Sequence, residues 1–372
     1  MDFSFTPEHD ELRQSVRKFL ADKSKEAAVR QHMMTERGYD PQVWSQLAEQ
    51  MGLTGLIVPE EFGGAGMGYV ELGIVLEEMG RVLLCAPYLS TAVLSTSALR
   101  LAATPDAQAD LLPGIAAGQT VVALACTEPD RGWDAASVAM TAKADGKTWR
   151  LDGVKTFVID GHSADVLLVV ARAPEGLSLF RINGEADGVR REALPTLDLT
   201  RKLAKVTFTG ARAERIGVAG DLTATIDKVL ALGVVALTAE QVGGAQQCLE
   251  LSTEYAKTRL QFGRAIGSYQ AIKHRCADML VAVEFARSAA YHAVFRAAED
   301  DAAELPAAAS MAKSYCSEAY SQIANDTIQV HGGMGFTWEH PAHLYLKRAK
   351  SSSLLFGDPV YHREQLARHI GL

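Results

Sequence analysis

The spacing of apolar residues along this chain switches twice, from a helical period to a strand-like one and back. Leu12, Val16, Phe19 and Leu20 recur three and four residues apart, behind Thr6 as N-cap and Pro7 at the first helical position. A glycine-rich break at Pro59–Gly68 (PEEFGGAGMG) precedes a second helical stretch with Val70, Leu72, Ile74 and Val75. Near residue 120 the pattern shortens. Val121–Cys126, Val166–Val170, Leu177–Ile182 and Lys205–Phe208 read as strands, and Trp149–Leu151 and Val154–Ile159 flank an Asp152-Gly153 hairpin signal. No helices intervene to make βαβ units. From about Leu222 the helical period returns, with Leu232, Val235, Ala239, Val242, Leu249 and Ala256 on one stripe. A further helix is expected around Ser288–Ala298, and Pro306 opens an alanine-rich one toward Gln329. The pattern predicts an α+β multidomain chain. Its parts are a helical N-terminal domain over 1–119, a β-barrel-like middle domain over 120–219 and a C-terminal four-helix bundle over 220–372.

Composition narrows the class. The 372 residues are 48% hydrophobic and 22% charged, which is ordinary for a globular protein. A net charge of −8 gives no footprint for nucleic acid. Cys85, Cys126, Cys248, Cys276 and Cys316 are scattered without a CxxC pair, so they read as buried free thiols in a reducing, cytoplasmic setting. The N-terminus lacks an apolar signal core, and no run is expected to reach spanning length.

Several local motifs invite chemistry. The PEEFGGAGMG glycines follow no strand and precede no GK[ST], so a turn between helices is expected, not a phosphate loop. His340 and His343 have metal-like spacing, but Pro341 and the lack of further ligands argue against zinc. His274 is expected to pack or hydrogen-bond at a helix interface. Lys347, Arg348 and Lys350 read as a solvated basic helix face. Glu128 and Asp134 have the look of an acid/base pair, though their motif reads better as a turn. Glu240 is either a functional acid or a structural carboxylate bonded within the bundle.

Four separated segments resemble the acyl-CoA dehydrogenase family, in the right order and over nearly the whole chain. They are PEEFGGAGMG with Glu77, Glu78 and Leu83; Cys126–Asp134 (CTEPDRGWD) with Asp152–Gly161 (DGVKTFVIDG); Tyr255–Gln270 (YAKTRLQFGRAIGSYQ); and Asp326–Lys350 (DTIQVHGGMGFTWEHPAHLYLKRAK). The resemblance implies FAD, shared across a subunit interface, and α,β-dehydrogenation of an acyl-CoA thioester. A carboxylate takes the α-proton and flavin takes hydride from the β-carbon. Reduced flavin then requires an electron acceptor protein.

By that resemblance, the half-site donated to a neighbour is intact. Arg259 is placed for the neighbour's pyrophosphate, with Phe262 and Gln270 nearby, and Gln329, Gly332 and Gly333 form the loop against the adenosine-diphosphate portion. The half that holds the chain's own flavin keeps Thr127, Glu128 and Pro129 but departs elsewhere. Trp133 replaces a serine, Phe157 a tryptophan and Ile159 a threonine, and the usual base position is Phe356, followed by Gly357 and Asp358. A phenyl ring accepts no proton. The family's alternative base position corresponds to Gly233, which leaves Glu240 and Asp358 as the remaining carboxylates to consider. The resemblance therefore implies one subunit of a heterotetrameric (α2β2) enzyme whose partner carries the base. Motifs such as QAIKHRCADM and GGMGFTWEHP are similar to those of bacterial members acting in fatty acid or steroid degradation. The alternatives are a self-sufficient homotetramer with a displaced base and a flavin-dependent monooxygenase or oxidase.

Overall fold

The computed structural model describes residues 5–372. In chain order it holds helices α1 (Pro7–Lys23), α2 (Glu26–Met33), α3 (Pro41–Glu49), α4 (Tyr69–Arg81), α5 (Thr96–Ala102) and α6 (Pro105–Ala116). Seven strands follow: β1 (Val122–Ala125), β2 (Ala142–Asp145), β3 (Thr148–Ile159), β4 (Val166–Ala173), β5 (Gly176–Asn183), β6 (Val189–Ala193) and β7 (Leu203–Arg215). The chain continues through α7 (Thr223–Thr258), the hairpin β8 (Leu260–Gln261) and β9 (Arg264–Ala265), α8 (Gln270–Ala298), α9 (Leu305–His331), α10 (Ala342–Leu354) and α11 (Pro359–His369). Contacts divide it into two units. One comprises Met1–Arg30, Tyr69–Leu84 and Val234–Leu372; the other comprises Gln31–Gly68 and Cys85–Gly233.

In the first unit, α1 starts where the pattern predicts. The Thr6 hydroxyl accepts from the His9 N–H, and the His9 ring accepts from the Thr6 N–H, a reciprocal cap. Two glycines bring α4 and α7 together. A Cβ at Gly80 would lie 2.0 Å from the Glu240 carbonyl oxygen, and one at Gly243 would lie 1.8 Å from that of Glu77, so only bare backbone fits this crossing. The approach buries Glu77 and Glu78 at 2% and 1% exposure. Arg13 donates to both (2.7 and 3.2 Å), Arg17 to Glu78 (2.8 Å), Arg287 to Glu77, and the Tyr291 hydroxyl to Glu77 (2.6 Å). Burial alone would raise the Glu77 carboxyl, yet Arg287 and Arg13 hold it below its ordinary value.

The second unit carries a seven-stranded sheet in the order β1-β4-β5-β7-β3-β2, with β6 on β7. Only the β1–β4 pair is parallel. The predicted strands are present, but Asp152-Gly153 is not a hairpin. It lies inside the continuous β3, where the register against β7 shifts between Leu151 and Gly153 and Gly153 has φ +143. The turn falls earlier, between β2 and β3, at Gly146 (φ +63). A DG pair needs a permissive backbone, and a bulge supplies that need as well as a turn does. The short β2 (AKAD) and polar β6 (VRREA) have too little alternation to be read from sequence. The PEEFGGAGMG segment is a turn, as expected, with one short 3-10 helix at Glu60–Phe62.

Two helical expectations change. The helix placed at Ser288–Ala298 begins at Gln270, because Leu280, Val281 and Phe285 lie exposed on it and blur the one-faced apolar period. The expectation that no segment reaches spanning length also fails. By length and composition α7 is long and apolar enough to cross a membrane, but 83% of its most apolar window is buried within the protein, the character of a core helix.

Candidate functional site

In the second unit, the strand-end motif after β1 is held by buried charge. The Lys155 ammonium is fully buried and donates to Glu128 Oε1 (2.7 Å) and to the Cys126 carbonyl (2.9 Å). Glu128 also accepts from the backbone N–H groups of Ala139 (3.0 Å) and Met140 (2.9 Å). Burial opposes its charge, but Lys155 and these donors keep the carboxyl below its ordinary value. Glu128 is thus a clamp, not one member of an acid/base pair. Asp134 is likewise engaged, accepting from the Ser137 N–H and hydroxyl, both at 2.8 Å, to cap a 3-10 turn. Thr127 is half-buried and accepts from the Thr156 N–H through its carbonyl (2.9 Å).

On this frame the Trp133 and Phe157 rings stack on each other, centroids 5.9 Å apart and planes 29° from parallel. Phe157 has φ +53 and is 46% exposed, and Ile159 is buried. These are the positions where the resemblance places flavin contacts. Here two rings meet each other, and the Ile159 side chain has no polar atom to offer. At positions 133 and 159 the chain offers a flavin no side-chain hydroxyl.

In the first unit, Phe356 (φ +61) and Gly357 (φ +104) form a left-handed turn between α10 and α11. His362 donates to the Phe356 carbonyl (3.0 Å), while Lys313 donates to the carbonyls of Ser353 (3.1 Å) and Gly357 (2.9 Å). Burial pushes Lys313 down to about 7, and burial with the nearby Lys313 pushes His362 down to about 4. The lone lysine in the alanine-rich stretch of α9 is the one sequence signal for this support.

Neither carboxylate considered for a displaced base is disengaged. Glu240 is buried and paired with Arg348 at 2.7 Å, the two side chains 8% and 4% exposed. Asp358 caps α11 by accepting from the Tyr361 N–H (2.8 Å). The Glu240 pair also corrects the solvated basic face: Lys350 is exposed and Lys347 half-buried, but Arg348 points inward as the counter-ion of Glu240. A helix turn of basic residues cannot show which one faces a buried acid more than 100 residues away in sequence.

The residues assigned to a neighbour's flavin are all at the surface of the same unit. Arg259, at the end of α7, is exposed, and Phe262, at the tip of the β8–β9 hairpin with φ +52, is 91% exposed. Gln270 starts α8, exposed. Gln329 is exposed near the end of α9, followed by Gly332 (φ +59) and Gly333, where an added Cβ would meet nothing within 4 Å. An exposed cation, an exposed ring and open backbone fit the diphosphate and apolar parts of a dinucleotide presented from outside. Seven described non-glycine residues have positive φ, and the three phenylalanines among them are Phe157, Phe262 and Phe356. Left-handed backbone at bulky residues is costly, and such cost collects at functional sites.

Sequence reasoning missed what lies beneath the glycine loop. His331 stacks on Tyr255 (4.4 Å) and lies tilted against His340 (4.3 Å), and His343 stacks on Trp338 (4.7 Å). The metal-like histidines are therefore ring-packed, and no group of three or more metal-ligating side chains forms among the described residues. His274 is exposed on α8 and not packed at a helix interface within the chain. Of the cysteines, four are buried and Cys276 is half-exposed.

The helical, sheet and helical segments, with flavin-type motifs at their ends, define an acyl-CoA dehydrogenase fold. Sequence models of the acyl-CoA dehydrogenase N-terminal, middle and C-terminal domains match residues 6–119, 123–209 and 223–371. The chain belongs to the acyl-CoA dehydrogenase family, whose cofactor is FAD. It is 38% identical to acyl-CoA dehydrogenase IpdE2 of Mycobacterium tuberculosis, over 97% of this chain and 96% of that protein. A variant of the Tcur3481–Tcur3483 steroid ACAD superposes with a TM-score of 0.88 at 32% identity, covering 98% of this chain and 97% of that one. The ChsE4–ChsE5 complex from Mycobacterium tuberculosis superposes with a TM-score of 0.91 at 29% identity, covering 100% and 99%.

Proposed function

We propose that this chain is one subunit of a heteromeric acyl-CoA dehydrogenase and completes the FAD site of a homologous partner that carries the catalytic base. The observation that carries this reading is an asymmetry between half-sites. Arg259, Phe262 and the Gly332–Gly333 loop stand exposed and open, whereas Trp133 and Phe157 stack on each other and Phe356 stands at the base position. FAD, when bound, supplies the hydride acceptor. Arg259 gives the pyrophosphate a charge-assisted contact, Phe262 gives the ring system an apolar one, Gln270 and Gln329 lie alongside, and the Gly332–Gly333 backbone admits the diphosphate closely. The substrate is an acyl-CoA, here a bulky steroid-derived thioester, by analogy with the steroid ACAD relative. The electrons leave to an acceptor protein.

Supporting the heteromeric reading, the ChsE4–ChsE5 relative is a complex of two proteins. A self-sufficient homotetramer lacks a base, since Glu240 is paired with Arg348 and Asp358 caps a helix. A monooxygenase would still need a flavin in the chain's own half. The test is FAD stoichiometry. Co-expressed with a homologue that keeps the serine, threonine and glutamate, the chain should give a yellow complex with one FAD per heterodimer, and alone it should purify nearly colourless. A homotetramer of this chain with one FAD per subunit that oxidises an acyl-CoA would overturn the reading.

A further inference from the structure

The groups assigned to a partner's flavin come from two helices far apart in sequence. Arg259 stands just past the end of α7, while Gln329 and the glycine loop stand at the end of α9. For one dinucleotide to meet both, the two helix ends must keep a fixed spacing, and side chains between the helices supply it. Gln241 Nε2 donates to Ser317 Oγ (3.1 Å), and further along Ser252 Oγ donates to Thr327 Oγ1 (3.1 Å), which itself lies 3.2 Å from the Cys248 carbonyl. Numbers rise together on both sides, so α7 and α9 run parallel and end at the same place. The last rung is a pair of rings. Tyr255 and His331 stack with centroids 4.4 Å apart and planes 27° from parallel. His331 is buried, and its Nδ1–H donates to the Thr327 carbonyl (2.7 Å), which fixes the ring's orientation. Each ring is tied to one of the assigned groups. The Tyr255 carbonyl accepts from the Arg259 N–H (2.8 Å). The glycine loop folds back onto His331, where a Cβ at Gly335 would lie 2.9 Å from the His331 Cβ.

We propose that Tyr255 and His331 are positioning residues: their stack sets the spacing between Arg259 and the Gly332–Gly333 loop, and through it the affinity of the donated half-site for FAD. The inference rests on the reading that this half-site serves a partner's FAD, and adds what holds it in shape. Arg259, Gly332 and Gly333 are all exposed, so their placement comes from what lies beneath them and not from packing of their own. A stack of two rings suits that task, because it resists both sliding and separation of the helix ends that carry it. A small misplacement of groups that must meet one ligand together is costly to binding.

The experiment measures FAD affinity of the complex with the homologous partner by equilibrium dialysis, with circular dichroism and gel filtration as checks on folding and assembly. The variants are Tyr255→Leu, His331→Ala, both together, His331→Phe, and Arg259→Ala as the reference. Tyr255→Leu and His331→Ala should each weaken FAD binding at least about threefold. The double variant should be no weaker than the worse single, because both changes remove the same stack. His331→Phe, which keeps a ring on Tyr255, should bring the affinity back to within about twofold of wild type. A residue that only supported the fold would lower the Tm and leave the FAD dissociation constant of the assembled complex where it was. Assembled Tyr255→Leu and His331→Ala complexes with wild-type FAD affinity, or losses that add in the double variant, would overturn the inference. If His331→Ala does not assemble, Tyr255→Leu, altered at a half-buried ring, decides by the same threshold. Arg259→Ala separates the two levels. A loss there without one at Tyr255 or His331 overturns the positioning role alone, whereas no loss at any of the three overturns the donated half-site itself.

Discussion

Replacing Glu240 with methionine separates a structural carboxylate from a catalytic one. The pair with Arg348 is 2.7 Å long, and its side chains are 8% and 4% exposed. At an effective dielectric of about 20, charges that close attract by about 6 kcal/mol. Desolvation costs several kcal/mol per ion, so the intact pair adds little net stability, on the order of 1 kcal/mol. Removing one partner is different, because Arg348 would stay buried without its carboxylate, at a cost of about 3–5 kcal/mol. At about 2.1 cal/mol/K of unfolding entropy per residue, each kcal/mol lowers the Tm of a 372-residue chain by roughly 1.3 °C, so Glu240→Met should melt about 4–6 °C lower. Glu240→Met/Arg348→Met, in which neither charge remains, should recover most of that loss. Differential scanning calorimetry of the three proteins under one buffer condition is the assay. A Glu240→Met Tm within about 2 °C of wild type would refute the argument. Loss of acyl-CoA oxidation by the assembled enzyme at unchanged Tm would return Glu240 as the base.

Arg259→Ala should lower FAD occupancy of the assembled enzyme at least tenfold, since a charge-assisted contact is worth about 1.5–3 kcal/mol. Its circular dichroism and the Tm of the lone chain should not change, because the side chain is exposed; equal FAD affinity in equilibrium dialysis would remove Arg259 from the site. Gly243→Ala puts a methyl 1.8 Å from the Glu77 carbonyl and should cost about 1–3 kcal/mol or more in denaturant unfolding, which a neutral result would contradict. Burial holds the His331, His340 and His343 rings below their ordinary value, with His331 adding to the effect on His340. The unfolded state therefore binds more protons below about pH 6.5, so stability is full above that value and falls as pH drops through it. His340→Gln should flatten the decline in a Tm series between about pH 7 and pH 5, and an unchanged slope would remove this ring from the effect.

Much of this architecture was legible in the chain itself. Alternation of apolar spacing placed the helical, sheet and helical segments, and local rules placed Thr6 as a cap and the PEEFGGAGMG turn, because caps and turns are settled by residues within a few positions of one another. The phenylalanine at 356 and the tryptophan at 133 were also visible, since each is a matter of side-chain type alone. What only the tertiary structure decided involves residues far apart in sequence. Glycine at 80 and 243 reads as a helix weakness until α4 and α7 are seen to cross there. Arg348 reads as surface charge until Glu240 meets it, and the Asp152-Gly153 pair reads as a hairpin until β7 runs past it. Trp133 and Phe157 read as two separate positions, yet the fold brings their rings into contact. The period of a sequence reports which face of an element is buried, but the partner it is buried against is set by the packing of distant segments, and no local pattern carries that information.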